Sequence, residues 1–173
     1  TDDGAIAATA AEMRGHLETT GFLYVVGHPI TTGQIEAVRT MGKRFFALSE
    51  DEKAKIQIDK NFRGYLKFAG STIVTSSVEQ VSKPNQSESV FFMHEVAEHD
   101  PRYFEDPTTF LRLLHYPPQP PEDGLFGSAP HTDYGFITLL AQDDVGGLEV
   151  LNKNGDWVAA PPVPGAFVMN VGD

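Results

Sequence analysis

His131 and Asp133 stand two positions apart in A-P-H-T-D-Y-G-F-I-T-L-L, residues 129–140, ahead of an apolar run. In an extended strand that spacing turns both side chains to one face and Thr132 to the other. An imidazole nitrogen and a carboxylate oxygen so placed are two of the three ligands of the 2-His-1-carboxylate facial set, which leaves neighbouring metal positions open to substrates. The pattern is weak by itself and depends on its context. His16-Leu17-Glu18 has the same spacing, but it falls in a helical pattern, where residues two apart do not share a face, and is set aside. Strand context favours His131 and Asp133. Pro130 suits the start of a strand, where no ladder donor is needed, and Gly135 to Leu140 is rich in strand formers.

The elements that must position this pair can be read from periodicity. Ile6, Ala10, Met13 and Leu17 predict a helix over 5–19 that stops at Gly21. Phe22 to Val26 is a compact strand-forming run between Gly21 and Gly27, and His28 beside Pro29 closes it rather than binding a ligand. Ile35, Val38, Phe45 and Leu48 predict a second helix over 32–48, with Lys43 and Arg44 suiting its C-terminal dipole. Ser49-Glu50-Asp51-Glu52 matches a capping box for a short helix to about Ile58, its charges forming a solvated face. Beyond Arg63 the helical period is lost. Short strands are expected at 63–66, 89–93, 109–116, 135–141, 147–151, 157–160 and 166–171, with Asn154-Gly155 as a hairpin signal. Many short strands predict a mainly β sandwich or jelly roll with the N-terminal helices outside it. Residues 67–86, rich in Ser, Thr, Asn and Gln, read as a mobile loop over one end.

The chain of 173 residues with 40% hydrophobic content fits a single domain with a real core. A net charge of -11 argues against nucleic acid, since phosphate binding needs a basic stripe. There is no cysteine, which removes disulfides and thiolate metal sites and leaves His, Asp and Glu as metal ligands. No apolar run approaches the length of a membrane span, and the N-terminal residues lack a secretory pattern, so a cytoplasmic protein without a membrane partner is expected.

Six segments occur together in order: G-F-L-Y-V-V-G-H-P-I (21–30), S-V-F-F-M-H-E (89–95), L-R-L-L-H-Y-P-P (111–118), P-H-T-D-Y-G (130–135), Q-D-D-V-G-G-L-E-V (142–150) and V-P-G-A-F-V-M-N-V-G-D (163–173). The set resembles the isopenicillin N synthase-like branch of the Fe(II)/2-oxoglutarate-dependent oxygenases. The resemblance covers most of the chain. It implies a double-stranded β-helix, a jelly roll, as one oxygenase-like domain over 1–173, with an N-terminal helical and strand region over 1–60 and the jelly-roll core over 61–173. It also implies Fe(II) held by His131 and Asp133, and 2-oxoglutarate as cosubstrate. The expected reaction is the oxidation of a small molecule by dioxygen with release of succinate and CO2.

Tyr116, in His115-Tyr116-Pro117, stands where the family's tyrosine bonds the distal carboxylate of 2-oxoglutarate; without the resemblance it reads as a core tyrosine. Alternation puts Arg112, Leu114 and Tyr116 on one face and His115 on the other, which makes His115 a poor third ligand. Arg112 is either a pocket cation paired with an anion or a strand-end residue with its head in water. Tyr134 is a candidate for the substrate wall, and His94 and His99 read as surface residues. Leu114 stands where many members carry Asn. The family's helical segment between the second and third motifs is reduced to the link His99–Pro107, and its third ligand, a His, and its Arg-x-Ser are not found, so a longer functional polypeptide is expected. Two other readings stand beside the oxygenase. One is an iron-dependent oxidase that does not use 2-oxoglutarate, and the other is a degenerate, non-catalytic jelly-roll binding module.

Overall fold

The computed structural model describes residues 2–73, 81–93, 109–133 and 135–172. Among the described residues, three helices, α1 (Asp3–Leu17), α2 (Thr32–Phe46) and α3 (Glu50–Ala54), alternate with and precede eight strands. The strands are β1 (Phe22–Val25), β2 (Gly64–Leu66), β3 (Glu88–Met93), β4 (Phe110–His115), β5 (Ile137–Leu140), β6 (Glu149–Leu151), β7 (Trp157–Ala159) and β8 (Phe167–Val171). Every run expected to be a strand contains one, and by number of elements the chain is mainly β. Its contacts divide it into two compact units, Thr1–Ala37 with Thr132–Asp173, and Val38–His131. Among the described residues no helix is long and apolar enough to cross a membrane.

The first unit is built on β8, the middle strand of an antiparallel sheet ordered β1-β8-β5. Val168, Met169 and Asn170 are buried there. At one edge the β1 residue Tyr24 donates its hydroxyl hydrogen to the Pro161 carbonyl at 2.7 Å. The β6–β7 hairpin turns over Asn152–Asp156, where Asn152 Oδ1 accepts from the amides of Asn154 and Asp156 and Gly155 takes a φ of 87°. That positive φ is the left-handed turn geometry the Asn-Gly pair predicts. Helix α1 starts at Asp2, whose Oδ1 caps the amides of Gly4 and Ala5, and the chain turns out of it at Gly21 with a φ of 81°. Of its predicted apolar stripe, Ile6 and Ala10 are exposed and Met13 and Leu17 partly buried, because helical spacing predicts a helix and not what covers it.

The second unit carries the antiparallel sheet β2-β3-β4 with β3 in the middle. The C-terminal half of α2 lies on it. Phe45 meets Tyr65 edge to face, Phe46 stacks on His115, and a Cβ on the buried Gly42 would sit 3.6 Å from Leu113. Helix α2 opens on a reciprocal capping box. Thr31 Oγ1 accepts from the Gln34 amide, and Gln34 Oε1 accepts from the Thr31 amide at 2.8 Å. At α3, Ser49 caps the Glu52 amide as expected.

Two expectations for α3 fail: it ends at Ala54 rather than near Ile58, and its charges are not all on a solvated face. Glu50, Glu52 and Lys55 are solvated, but Lys53 is 3% exposed. It turns inward because a buried carboxylate waits for it: Lys53 Nζ lies 2.7 Å from Glu88 Oε2, and Glu88 is 5% exposed. Lys53 also reaches Glu50 Oε1 at 2.5 Å, the Tyr65 hydroxyl donates to Glu88, and His115 Nδ1 lies 2.7 Å from Glu88 Oε1. Burial alone would raise the Glu88 carboxyl. Hydrogen bonds from Lys53, Tyr65 and His115 outweigh it and hold the group below its ordinary value of 4.5. Burial likewise works against the Lys53 charge, but its bonds to Glu50 and Glu88 raise its pKa overall. Burial and the bond to Glu88 push the Tyr65 phenol up to about 12.

The folded Glu88 carboxyl binds its proton more weakly than the unfolded one. Its contribution to stability is therefore complete above about pH 4.5 and disappears as pH falls through the lower folded value. The raised Lys53 contributes below its ordinary 10.5 and loses that contribution on the alkaline side. Glu88→Ala leaves Lys53 buried against too little negative charge and is expected to cost about 3–5 kcal/mol. Urea midpoints measured across pH check both statements: the parent should weaken at acid pH more steeply than Glu88→Gln.

Candidate functional site

His131 and Asp133 do not lie in a strand. The chain from Leu125 to Asp133 is irregular, and β5 begins only at Ile137. Pro130 cannot donate to a ladder, and no sheet hydrogen bonds replace the missing donor, so the segment is shaped by side chains and close backbone contacts instead. The shared-face argument from strand alternation therefore does not carry over to this backbone.

What fixes His131 is a carbonyl. Its Nδ1 lies 2.7 Å from Ala129 O, and a carbonyl only accepts, so Nδ1 carries a proton; in the neutral ring Nε2 then has the lone pair. A histidine in that tautomer, held through its other nitrogen by a backbone carbonyl, is set up as an Nε2 metal ligand. The ring is exposed, while Ala129 beneath it is 1% exposed.

Asp133 is fixed from the sheet of the first unit. Thr138 and Asn170 are directly paired residues of β5 and β8, and both donate to Asp133 Oδ2, Thr138 Oγ1 at 2.6 Å and Asn170 Nδ2 at 2.9 Å. Two donors on one oxygen fix the direction of the carboxylate. The backbone is equally constrained: a Cβ on Gly172 would run into the carbonyl oxygens of Asp133 and Gly135. Only glycine gives the room for that approach. Thr138, Asn170 and Gly172 were not singled out from the sequence, although the M-N-V-G-D and G-F-I-T segments carry them.

Arg112 and Tyr116 belong to β4 and the turn after it. Arg112 Nη2 donates to Ser89 Oγ at 3.2 Å, and its guanidinium lies 4.6 Å from the centre of the Phe91 ring. It is partly buried, so neither a fully solvated head nor a deeply buried cation describes it. The Tyr116 phenol is raised by burial, with the Arg112 charge pulling the other way, which puts the two side chains within electrostatic reach of each other. The ring of Tyr116 packs flush against Gly127, where a Cβ would come within 2.9 Å of Cδ1. His115 turns to the opposite side, toward Glu88 and Phe46, as alternation required. Tyr134, His94, His99 and the link His99–Pro107 lie outside the described residues. The 67–86 segment is tied down at both described ends: the Ala69 amide bonds Ser87 O, the Asn85 amide bonds Ser71 O, and Asn85 is buried.

An imidazole nitrogen and a carboxylate oxygen, each oriented through its own hydrogen bonds, are each of the donor type that Fe(II) takes. Among the described residues no group of three or more His, Cys, Asp or Glu side chains is gathered to hold a metal.

Comparison with known proteins gives the class of protein. Residues 2–118 match the family model of the non-haem dioxygenase in morphine synthesis N-terminal region, and residues 107–173 match that of the 2OG-Fe(II) oxygenase superfamily. A 2-oxoglutarate-dependent dioxygenase of Didymella fabae is 32% identical over 94% of this chain and 68% of its own length. Homoarginine-6-hydroxylase 2-ODD-C23 of Glycine max is 31% identical over 99% of this chain and 69% of its own. Among solved structures, a full-length Neurospora crassa protein in complex with alpha-KG superposes with a TM-score of 0.83 at 25% identity, over 99% of this chain and 69% of that one.

The chain belongs to the 2OG-Fe(II) oxygenase superfamily, as its six ordered motifs implied. It is a dioxygenase of the kind that uses Fe(II) and 2-oxoglutarate, and the comparisons support that reading rather than an oxidase without 2-oxoglutarate or a non-catalytic module. The chain spans about two thirds of the length of these relatives. The Didymella alignment runs over 224 positions, more than the 173 residues of this chain, so that relative carries internal segments absent here.

Replacing either donor to Asp133 tests the geometry without metal. Asn170→Ala and Thr138→Val are each expected to destabilise the metal-free protein by about 1.5–3 kcal/mol, the range for a hydrogen bond to a charged group. The double variant should depart from the sum of the two single losses in urea denaturation, because both donors serve one oxygen and are coupled through it.

Proposed function

We propose that His131 and Asp133 are the protein's Fe(II) ligands and that Tyr116 and Arg112 face 2-oxoglutarate. The single observation that carries the metal assignment is the way each side chain is held: His131 by Ala129 O through Nδ1, and Asp133 by Thr138 and Asn170. Such outer contacts fix the tautomer and direction of metal ligands. Bound there, Fe(II) supplies the redox chemistry by which dioxygen and 2-oxoglutarate become succinate and CO2 while a substrate C–H bond is oxidised. This chain's own residues bind and orient. Tyr116 offers a phenolic donor, and Arg112 beside it offers a fixed positive charge to a dicarboxylate. We read the substrate as a small organic molecule, in keeping with the name of the Glycine max relative, and Tyr134, outside the described residues, as part of its wall. We further read the strands as belonging to one jelly-roll oxygenase domain over 1–173, supported by the superposition on the Neurospora crassa structure.

Metal analysis tests the ligands. His131→Ala and Asp133→Ala are each expected to lose most bound iron, and iron content equal to the parent in both would overturn the assignment. Tyr116→Phe is expected to weaken 2-oxoglutarate binding by about 1.5–3 kcal/mol, the worth of one hydrogen bond to an anion, with iron affinity retained. Calorimetric titration of 2-oxoglutarate into the two proteins measures it.

A further inference from the structure

We propose that Asn85 is a positioning residue for His131, acting through Ala129; this rests on His131 being a metal ligand. Asn85 is 7% exposed, and its Oδ1 accepts the Ala129 amide at 3.0 Å. A backbone amide only donates, so the contacting atom of Asn85 is its oxygen. On the other side of the same residue, Ala129 O accepts the proton of His131 Nδ1 at 2.7 Å. Between the two contacts the backbone has little freedom. Pro130 follows, its ring fixes its own φ, and it confines Ala129 to extended conformations. Ala129, 1% exposed, has no space in which to swing. The direction of its carbonyl, and with it the tautomer and plane of the His131 ring, is therefore set by where Asn85 holds its amide.

Asn85 is itself held. Its own amide donates to Ser71 O at 2.8 Å, and the amide of Gln86 donates to Phe126 O at 2.9 Å, so the two strands of chain are tied at consecutive residues. The ordinary role for a buried asparagine in an irregular segment is to satisfy a stranded amide, which affects stability alone. The bond from Ala129 O to His131 adds a link to the metal ligand that a purely structural asparagine would lack.

The test compares the parent with Asn85→Ala, Asn85→Asp and His131→Ala. Three quantities are measured: anaerobic Fe(II) affinity by titration, the His131 tautomer in the metal-free protein by two-bond proton–nitrogen NMR, and the urea midpoint. Asn85→Ala should weaken Fe(II) binding by about tenfold or more, the scale for outer contacts of metal ligands, and should mix the two tautomers. Asn85→Asp keeps the acceptor oxygen and should stay near the parent in both. A merely structural asparagine would lower the urea midpoint and leave affinity and tautomer where they are, and that result overturns the proposal. If Asn85→Ala does not fold, Asn85→Ser decides: its oxygen is too far back to reach Ala129, so parental affinity overturns the proposal and weakened affinity supports it. Loss of metal in His131→Ala with parental affinity in Asn85→Ala rejects the positioning role but keeps His131 as ligand. Parental affinity in His131→Ala rejects both.

Discussion

Taking Lys53 and Glu88 out of water costs several kcal/mol per ion, and their attraction offsets this only when the remaining polar atoms are also satisfied. In the Val38–His131 unit they are satisfied by one residue from each surrounding element: Glu50 from α3, Tyr65 from β2 and His115 from β4. The pair thus dictates which faces of those elements turn inward. Alternation along β3 then gives the neighbouring Ser89 to the opposite side, where it meets Arg112, and the residues just before β3, Asn85 and Gln86, bind the 126–129 backbone. The run N-Q-S-E-S, residues 85–89, is accordingly the most polar stretch of the interior and the one to which the rest of the unit is tied.

The two proposed ligands are held by different means. His131 depends on an irregular backbone whose shape comes from side-chain and main-chain hydrogen bonds, while Asp133 depends on a directly paired threonine and asparagine in a regular sheet. Irregular segments position functional groups well only where their amides and carbonyls are accounted for, and the buried Ala129 satisfies that condition on both of its polar atoms. Sheet pairing does the equivalent for Asp133, with Gly172 allowing the close approach of the neighbouring backbone.

The strands were legible in the sequence because each is a short run of β-branched, aromatic and leucine residues between turn-forming ones, and the helices because their apolar residues keep a helical period. Both signals are local. What the sequence hid was pairing at a distance. Nothing near Lys53 marks it as buried, since its partner Glu88 lies 35 positions away and reads as an ordinary polar residue at the start of a strand. The His-x-Asp pair stood out through residue type and neighbouring motifs, yet its irregular backbone setting did not, and a strand was expected there. Gly135 to Leu140 has the composition of a strand, but β5 pairs only from Ile137 onward, beyond the point where Asp133 and Gly135 are pressed against Gly172. Asn85, Thr138 and Asn170 are common residue types in ordinary surroundings, and only three-dimensional contact distinguishes them.

The sheet β1-β8-β5 joins Phe22–Val25 to Phe167–Val171, so its closure needs residues from far apart in the chain. During synthesis the whole of Val38–His131 leaves the ribosome before β5 and β8 exist, and its own sheet pairs strands much nearer in sequence. Local pairings form first, and long-range ones carry a larger loop-closure cost before any contact offsets it. The apolar β1 segment therefore waits without its partner strand while most of the chain is made. An unpaired apolar strand in that interval is a template for other chains. The strand whose register is completed last is thus also the one most open to pairing elsewhere before β8 arrives.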